Sequence, residues 1–356
     1  MKIAMLTSGG DCQGLNPALR GVAKGLYRLA PGVEIYGVTG GYDGLVKNNL
    51  HLMKPEDFSG ILRQGGTILG TTRQPFKTMV LEGGELTSKA EQMIANYQRS
   101  GIDALVILGG NGTQKTANLL YENGVNVVFL PKTIDNDIFG TDVSFGFDSA
   151  VAKATDVLDA VHSTAEAHGR VFVVELMGHK VGWITLYAGI ASGSDVILIP
   201  EIPYEPERVL EEVNARNMAG KGFTIVAIAE GAATKDERKL SKKQKNSLMD
   251  TAGGRLANRL QEMLEEQGSP QEVKLVVPGY YQRGGEPTPT DRVLCSRLGA
   301  KAAELIAERR FGHMVASVGA DIVSVPLKDV VGKLKVIEPD SPVIQEARNL
   351  GISFGD

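Results

Sequence analysis

Short apolar runs punctuate the chain at residues 3–6, 104–108, 125–130, 171–176, 196–199, 224–229 and 273–277, each closed by glycine or a polar turn. The runs are continuous rather than alternating, which predicts strands apolar on both faces. Interleaved with helical patterns, such strands build parallel sheets covered on both sides. Residues 88–99 and 301–310 have helical composition, without a cluster of chemistry. Residues 234–245, TKDERKLSKKQK, are polar and mostly basic and read as a solvated helix face or surface excursion. In sheets of this kind ligands bind outside the carboxyl ends of the strands. The residues after each run are therefore where chemistry is expected.

Composition sharpens this picture at one point. Of 356 residues, 43 are glycine, close to twice the usual share of about 7%, and no Gly-X-Y period absorbs them. They are expected in backbone turns of a folded chain. A hydrophobic share of 42% and a charged share of 22% exclude disordered, collagen-like and coiled-coil classes. At about 150 residues per domain, the length suggests two domains. The apolar stretches fall short of the roughly 18 residues of a membrane span, and MKIAMLTSGGD lacks the apolar core of a secretory signal. A cytoplasmic protein without a membrane partner is expected. Cys12 and Cys295 are the only cysteines and have no zinc or redox spacing, so reduced thiols are expected. His162, His168 and His313 are not clustered with acids or cysteines at ligand spacing, which assigns no zinc site. The formal charge of -4 argues against general nucleic-acid affinity.

The first run enters Thr7, Ser8, Gly9, Gly10 and Asp11, then a helix for which Asn16 can serve as cap and Pro17 as first residue. A glycine turn into a helix N-terminus offers N–H groups and the helix dipole to a phosphate; a tight structural turn explains one such loop equally well. The device recurs at Gly109, Gly110, Asn111, Gly112 and Thr113, and two copies favour a polyphosphate ligand. Neither is GxxxxGK[ST], and GxGxxG is missing too, which demotes a nicotinamide dehydrogenase. A third glycine segment, 65–73, ends on Arg73, which reads as a phosphate ligand or a surface ion pair. The densest chemistry is Pro131, Lys132, Thr133, Ile134, Asp135, Asn136 and Asp137. One carboxylate can take a proton from an attacking hydroxyl, the other can hold Mg²⁺, and lysine can offset phosphate charge. An Asx-rich turn accounts for one Asp more easily than for the cluster. Arg170, His179, Lys180, Glu230 and Arg283 near later strand ends suit a phosphorylated sugar, and structural ion pairs suit each of them as well.

TSGGDCQGLNP at 7–17, GGTILGTTR at 65–73, GGNGT at 109–113, PKTIDND at 131–137, ELMGHKVG at 175–182, AEG at 229–231 and YYQRGGEPTPTDR at 280–292 together resemble the phosphofructokinase family over nearly the whole chain. The resemblance implies an α/β protein of two similar Rossmann-like parallel-sheet domains with the active site in the cleft between them. It also implies transfer of a phosphoryl group to the 1-hydroxyl of fructose 6-phosphate. By motif, Asp135 matches the general base, with Thr133 and Asp137 positioning sugar, phosphoryl group and metal. Gly10, Arg73, Gln74, Gly109, Gly110, Asn111, Gly112 and Thr113 match the ATP site, and Asn111 and Asp137 the Mg²⁺ positions. Arg170, Met177, Gly178, His179, Glu230, Lys274, Tyr280 and Arg283 match the sugar-phosphate positions, beside Thr133 and Asp135.

Homodimers or homotetramers are implied, with positions matching Arg170 and Lys274 reaching a neighbouring subunit's sugar-phosphate site. Residues 1–138 with about 255–300 are the expected phosphoryl-donor domain. Residues 139–254 with 301–356 are the expected sugar-phosphate domain. Two positions bear on the donor. Pyrophosphate-using relatives commonly carry Asp at the position of Gly112, whose charge would crowd the α-phosphate of ATP, so glycine favours ATP. Lys132 is typical of pyrophosphate users, and the combination resembles the mixed-substrate branch of the family, in which ATP is the usual donor. Asn111 stands where Asp is usual, and an amide contributes no negative charge. His179 and Lys274 stand where arginine is common, and with Asn111 they motivate the reading of a regulatory, sugar-binding subunit that has lost catalysis; an intact TIDND speaks against it.

Overall fold

The computed structural model describes residues 1–81, 83–245 and 247–356, which form two units. Unit 1 is Met1–Ser149 with Arg283–Lys335, and unit 2 is Ala150–Gln282 with Val336–Asp356. The returning segment differs from the expected 255–300. Ala252–Glu266 is a helix whose Leu256, Leu260, Met263 and Leu264 pack with Val171, Val173 and Val226 of unit 2, so the chain returns only at Arg283. Residues 301–335 stay in unit 1 because their strands extend its sheet.

Unit 1 contains β1 (Lys2–Ser8), β2 (Glu34–Val38), β3 (Leu50–Met53), β4 (Ala104–Gly109) and β5 (Val127–Pro131). Unit 2 contributes β6 (Val171–Leu176), β7 (Val196–Leu198), β8 (Thr224–Ala229) and β9 (Val273–Val276). The last strands, β10 (His313–Val318) and β11 (Asp321–Pro326), belong to unit 1. Its sheet runs β11-β10-β5-β4-β1-β2-β3. The interior is parallel, as the continuous apolar runs require, whereas β3 and β11 pair antiparallel at the two edges. From β1 the chain adds β2 on one side and β4 on the other, which makes β1/β4 the topological switch point. Unit 2 has a four-stranded parallel sheet, β7-β8-β6-β9. Its edge strand β9 is half-exposed rather than covered on both faces.

Some glycines serve packing and not turns. Gly21 and Gly25 lie inside the helix Leu15–Leu29, which packs along Pro289–Ala307. A Cβ on Gly299 would meet the Gly21 main chain at 2.6 Å, and one on Gly25 would meet Ala303 Cβ at the same distance. The helices approach backbone to backbone there. Residues 234–245 form two short helices, Lys235–Lys239 and Lys242–Lys245, the first closed by a Thr234/Glu237 capping box. Among the described residues, no helix is long and apolar enough to cross a membrane.

Candidate active site

The register of unit 1 assembles the site. Ser8 stands opposite Gly109, and Gly109 opposite Pro131, so β1, β4 and β5 end level, about 4.8 Å apart. Their loops leave side by side and border a cavity of about 380 Å³. It is lined by Gly9, Gly10, Arg73, Gln74, Pro75, Gly110, Asn111, Gly112, Thr113, Lys132, Thr133, Asp135, Asp137 and Arg283. Every expected donor-site residue except Gly109 lines it. Gly109 lies beneath, where a Cβ would strike Thr113 Cγ2 at 2.2 Å. The helix Asn111–Glu122 starts at this wall, presenting its free N–H groups.

The first glycine loop leans on the third. Gly9 N–H donates to Thr72 O at 3.1 Å, and Thr71 Oγ1 donates to Gly9 O at 2.8 Å. Gly9 adopts φ +91°, where a side chain would be strained. Asn16 does not cap its helix; Gly14 precedes the first turn. The buried Asn16 amide donates to Gln64 O and Gly65 O at 3.1 and 3.3 Å and accepts from Ile68 N–H at 2.8 Å. It thereby ties the first loop to the third.

Lys132 is buried and donates to Gly10 O. Burial pushes its ammonium below the usual lysine range, with Arg283 acting in the same direction and Asp11 and Asp135 opposing. A bound polyanion would reverse that shift. Arg283, expected among sugar-phosphate residues, faces this cavity: its Nη1 donates to Asp11 O at 3.0 Å and would lie 2.9 Å from a Cβ on Gly10.

In the loop after β5, Asp135 N–H donates to Thr133 Oγ1 at 3.1 Å. Asn136 takes a left-handed turn, φ +53°, and accepts from Ser144 N–H at 3.0 Å. Ser144 Oγ in turn donates to Thr133 O at 2.8 Å, closing the loop. Asp137 Oδ2 accepts from Asn111 Nδ2 at 2.7 Å, while Asp137 Oδ1 is buried without a hydrogen-bond partner. A buried anionic oxygen in that state fits a cation. Asp291 is a residue that motif spacing did not single out. Fully buried, it accepts from Gly146 N–H, Ser149 N–H and Ser149 Oγ at 3.0, 2.9 and 2.6 Å, fixing the chain that follows this loop. Burial also sets the thiols aside: it pushes Cys12 up to about 12 and Cys295 well above its ordinary value.

In unit 2, Leu176 and Ala229 are paired at the ends of β6 and β8, which brings Met177, Gly178 and His179 beside Glu230. Gly178 N–H donates to Glu230 Oε1 at 3.4 Å, and Met177 N–H to Gln282 Oε1 at 3.1 Å. Gln282 is fully buried and positions that turn. His179 and Glu230 border a cavity of about 380 Å³ with Asp250 and Arg255. Glu175 turns inward, accepting from Gly253 N–H at 2.6 Å. Arg170 and Lys274 belong to the opposite end of this sheet. Both pair with Glu272 Oε2, at 2.8 and 3.1 Å. Tyr280 is exposed.

Residues 2–306 match the family model described as Phosphofructokinase. An ATP-dependent 6-phosphofructokinase of Spirochaeta thermophila is 49% identical, with 99% of this chain and 97% of the relative covered. ATP-dependent 6-phosphofructokinase 3 of Bacteroides thetaiotaomicron is 47% identical over the full length of both chains. Among solved structures, the phosphofructokinase of Pichia pastoris in the T-state superposes with a TM-score of 0.78 at 31% identity. The match covers 93% of this chain and 35% of that longer one.

Proposed function

The chain belongs to the phosphofructokinase family, and we propose that it is an ATP-dependent 6-phosphofructokinase of glycolysis. It transfers the γ-phosphoryl of ATP to the 1-hydroxyl of D-fructose 6-phosphate, giving fructose 1,6-bisphosphate and ADP. The observation that carries this reading is the level register of β1, β4 and β5, which gathers two glycine loops, a buried lysine and two carboxylates around one cavity.

Asp135 accepts the proton of the sugar hydroxyl, and Thr133 fixes its main chain. Lys132, Arg73 and the N–H groups of Gly10 and Gly110 to Thr113 hold the donor phosphates. Asp137 Oδ1 is the protein oxygen for Mg²⁺, which when bound neutralises donor charge. Gly112 supports ATP as donor, because a Cβ there would meet no described atom within 4 Å. Unit 1 is thus the donor domain, and unit 2 recognises the sugar phosphate through Met177, Gly178, His179, Glu230 and Tyr280. Arg170 and Lys274, at the far end of the unit 2 sheet, serve a second copy of the chain in a homodimer or homotetramer.

The test is a coupled assay with fructose 6-phosphate and Mg²⁺, offering ATP or pyrophosphate in parallel. Lys132, shared with pyrophosphate users, gives the second donor its place in the assay. Turnover with pyrophosphate alone overturns the donor assignment, and turnover with neither overturns the activity. Asp135→Asn is expected to lower kcat by about 10²- to 10⁴-fold while fructose 6-phosphate affinity stays near the parent value. An active variant removes Asp135 from its role.

A further inference from the structure

Asn111 approaches Asp137 with its amide nitrogen, 2.7 Å from Oδ2 and 3.1 Å from the main-chain oxygen. Both partners are pure acceptors, so the nitrogen and not the oxygen must face them. The same main-chain oxygen accepts from Lys335 N–H at 3.0 Å. Asp137 is therefore held at its backbone by two donors and at its carboxylate by one, and Oδ1 alone is left for a further partner. The clamp donates hydrogen without adding charge. A carboxylate in place of the amide would set two anions at hydrogen-bond distance. Their repulsion is relieved by a cation, so such a pair draws a divalent ion whether or not nucleotide is present.

Resting on the kinase reading above, we propose that Asn111 is a positioning residue: a neutral clamp that presents Asp137 Oδ1 as a lone carboxylate ligand, so that the divalent cation is taken up together with the donor phosphates. One carboxylate supplies one charge and one ligand. The phosphates supply the remaining charge, and cation uptake is tied to the donor.

Mn²⁺ binding to the full chain, followed by electron paramagnetic resonance without nucleotide, tests this. Asn111→Asp is expected to bind Mn²⁺ at least about tenfold more tightly than the parent protein, and the gain should vanish in Asn111→Asp combined with Asp137→Asn. Parent protein that binds Mn²⁺ without nucleotide as tightly as Asn111→Asp overturns the proposal, as does a gain that survives the double substitution. Asn111→Ala, compared at matched melting temperature, should lose about tenfold in kcat at saturating Mg²⁺ with an unchanged KM for fructose 6-phosphate; Asn111→Ser serves if it does not fold. Retention of the parent kcat also overturns the clamp. Turnover of the parent protein with ATP is read separately, so failure of the kinase reading would show there and leave the Mn²⁺ comparison intact.

Discussion

Gly112→Asp isolates the donor assignment from the integrity of the fold. Gly112 is the second residue of the helix Asn111–Glu122, its φ is not positive, and a Cβ there meets no described atom within 4 Å. The substitution therefore introduces neither strain nor a clash. In the first helical turn a carboxylate gains about 0.3 to 1 kcal/mol from the helix dipole, and exchanging glycine for aspartate adds roughly 0.3 kcal/mol of helix propensity. The melting temperature should hold or rise. The same carboxylate faces the donor cavity. About 5 Å from one phosphate charge, at an effective dielectric near 20, the repulsion is about 3 kcal/mol, or roughly 10²-fold in kcat/KM. Pyrophosphate has no third phosphate to meet that charge and should lose much less. The measurement is kcat/KM for ATP and for pyrophosphate at fixed fructose 6-phosphate, beside a thermal melt of each protein. An unchanged value for ATP, or equal losses with both donors at an unchanged melting temperature, refutes the assignment of Gly112.

Two further outcomes follow from buried groups. Asp291→Ala strands three donors around Gly146 and Ser149 and should cost roughly 3 to 5 kcal/mol in urea unfolding; a loss below about 1 kcal/mol would contradict the anchoring role. Lys335 donates to Thr141 O and Asp142 O, and burial pushes its pKa from the ordinary 10.5 down to about 8. Between those values the unfolded chain binds more protons than the folded one, so this group makes stability rise with pH across about 8 to 10.5 and adds no slope below. Lys335→Met should flatten that rise in melts taken at a series of pH values, and an identical slope in both proteins would sink the assignment.

The donor site was legible because its chemistry is local. The glycine loops at 7–14 and 109–113 each follow an apolar run, and the level strand ends that bring them together follow from a parallel sheet. What sequence could not supply is partnership at long range. Asn16 has the composition of a cap, yet its amide is consumed by Gln64, Gly65 and Ile68, about 50 residues away. Asp291 falls inside the motif at 280–292, yet nothing in that motif states its task, which only burial against Gly146 and Ser149 reveals. Gln282 was visible in the motif, but nothing in its spacing says that its oxygen receives the Met177 N–H. The edge strand β11 escaped because half-buried positions weaken the continuous apolar signal, and the buried β10 because His313 and Ser317 interrupt its apolar run. The domain boundary was misplaced for a related reason: the helix Ala252–Glu266 is amphipathic, and amphipathicity does not say which sheet receives it.

The edge of β5 has a history that the finished fold conceals. Its neighbour on that side is β10, with Val128 and Phe129 beside His313 and Met314. A ribosome making about 5 to 20 residues per second needs on the order of ten to forty seconds to deliver β10 after β5, and all of unit 2 except its final segment emerges in the interval. Throughout that time an apolar strand waits with unpaired N–H and C=O groups, the kind of edge that seeds aggregation. Unit 2 in turn waits for Val336–Asp356. Unit 1 cannot close before β10 is made, nor unit 2 before Val336–Asp356 is made, so truncation near residue 280 should abolish both, and a nascent chain stalled there is a natural client for a chaperone.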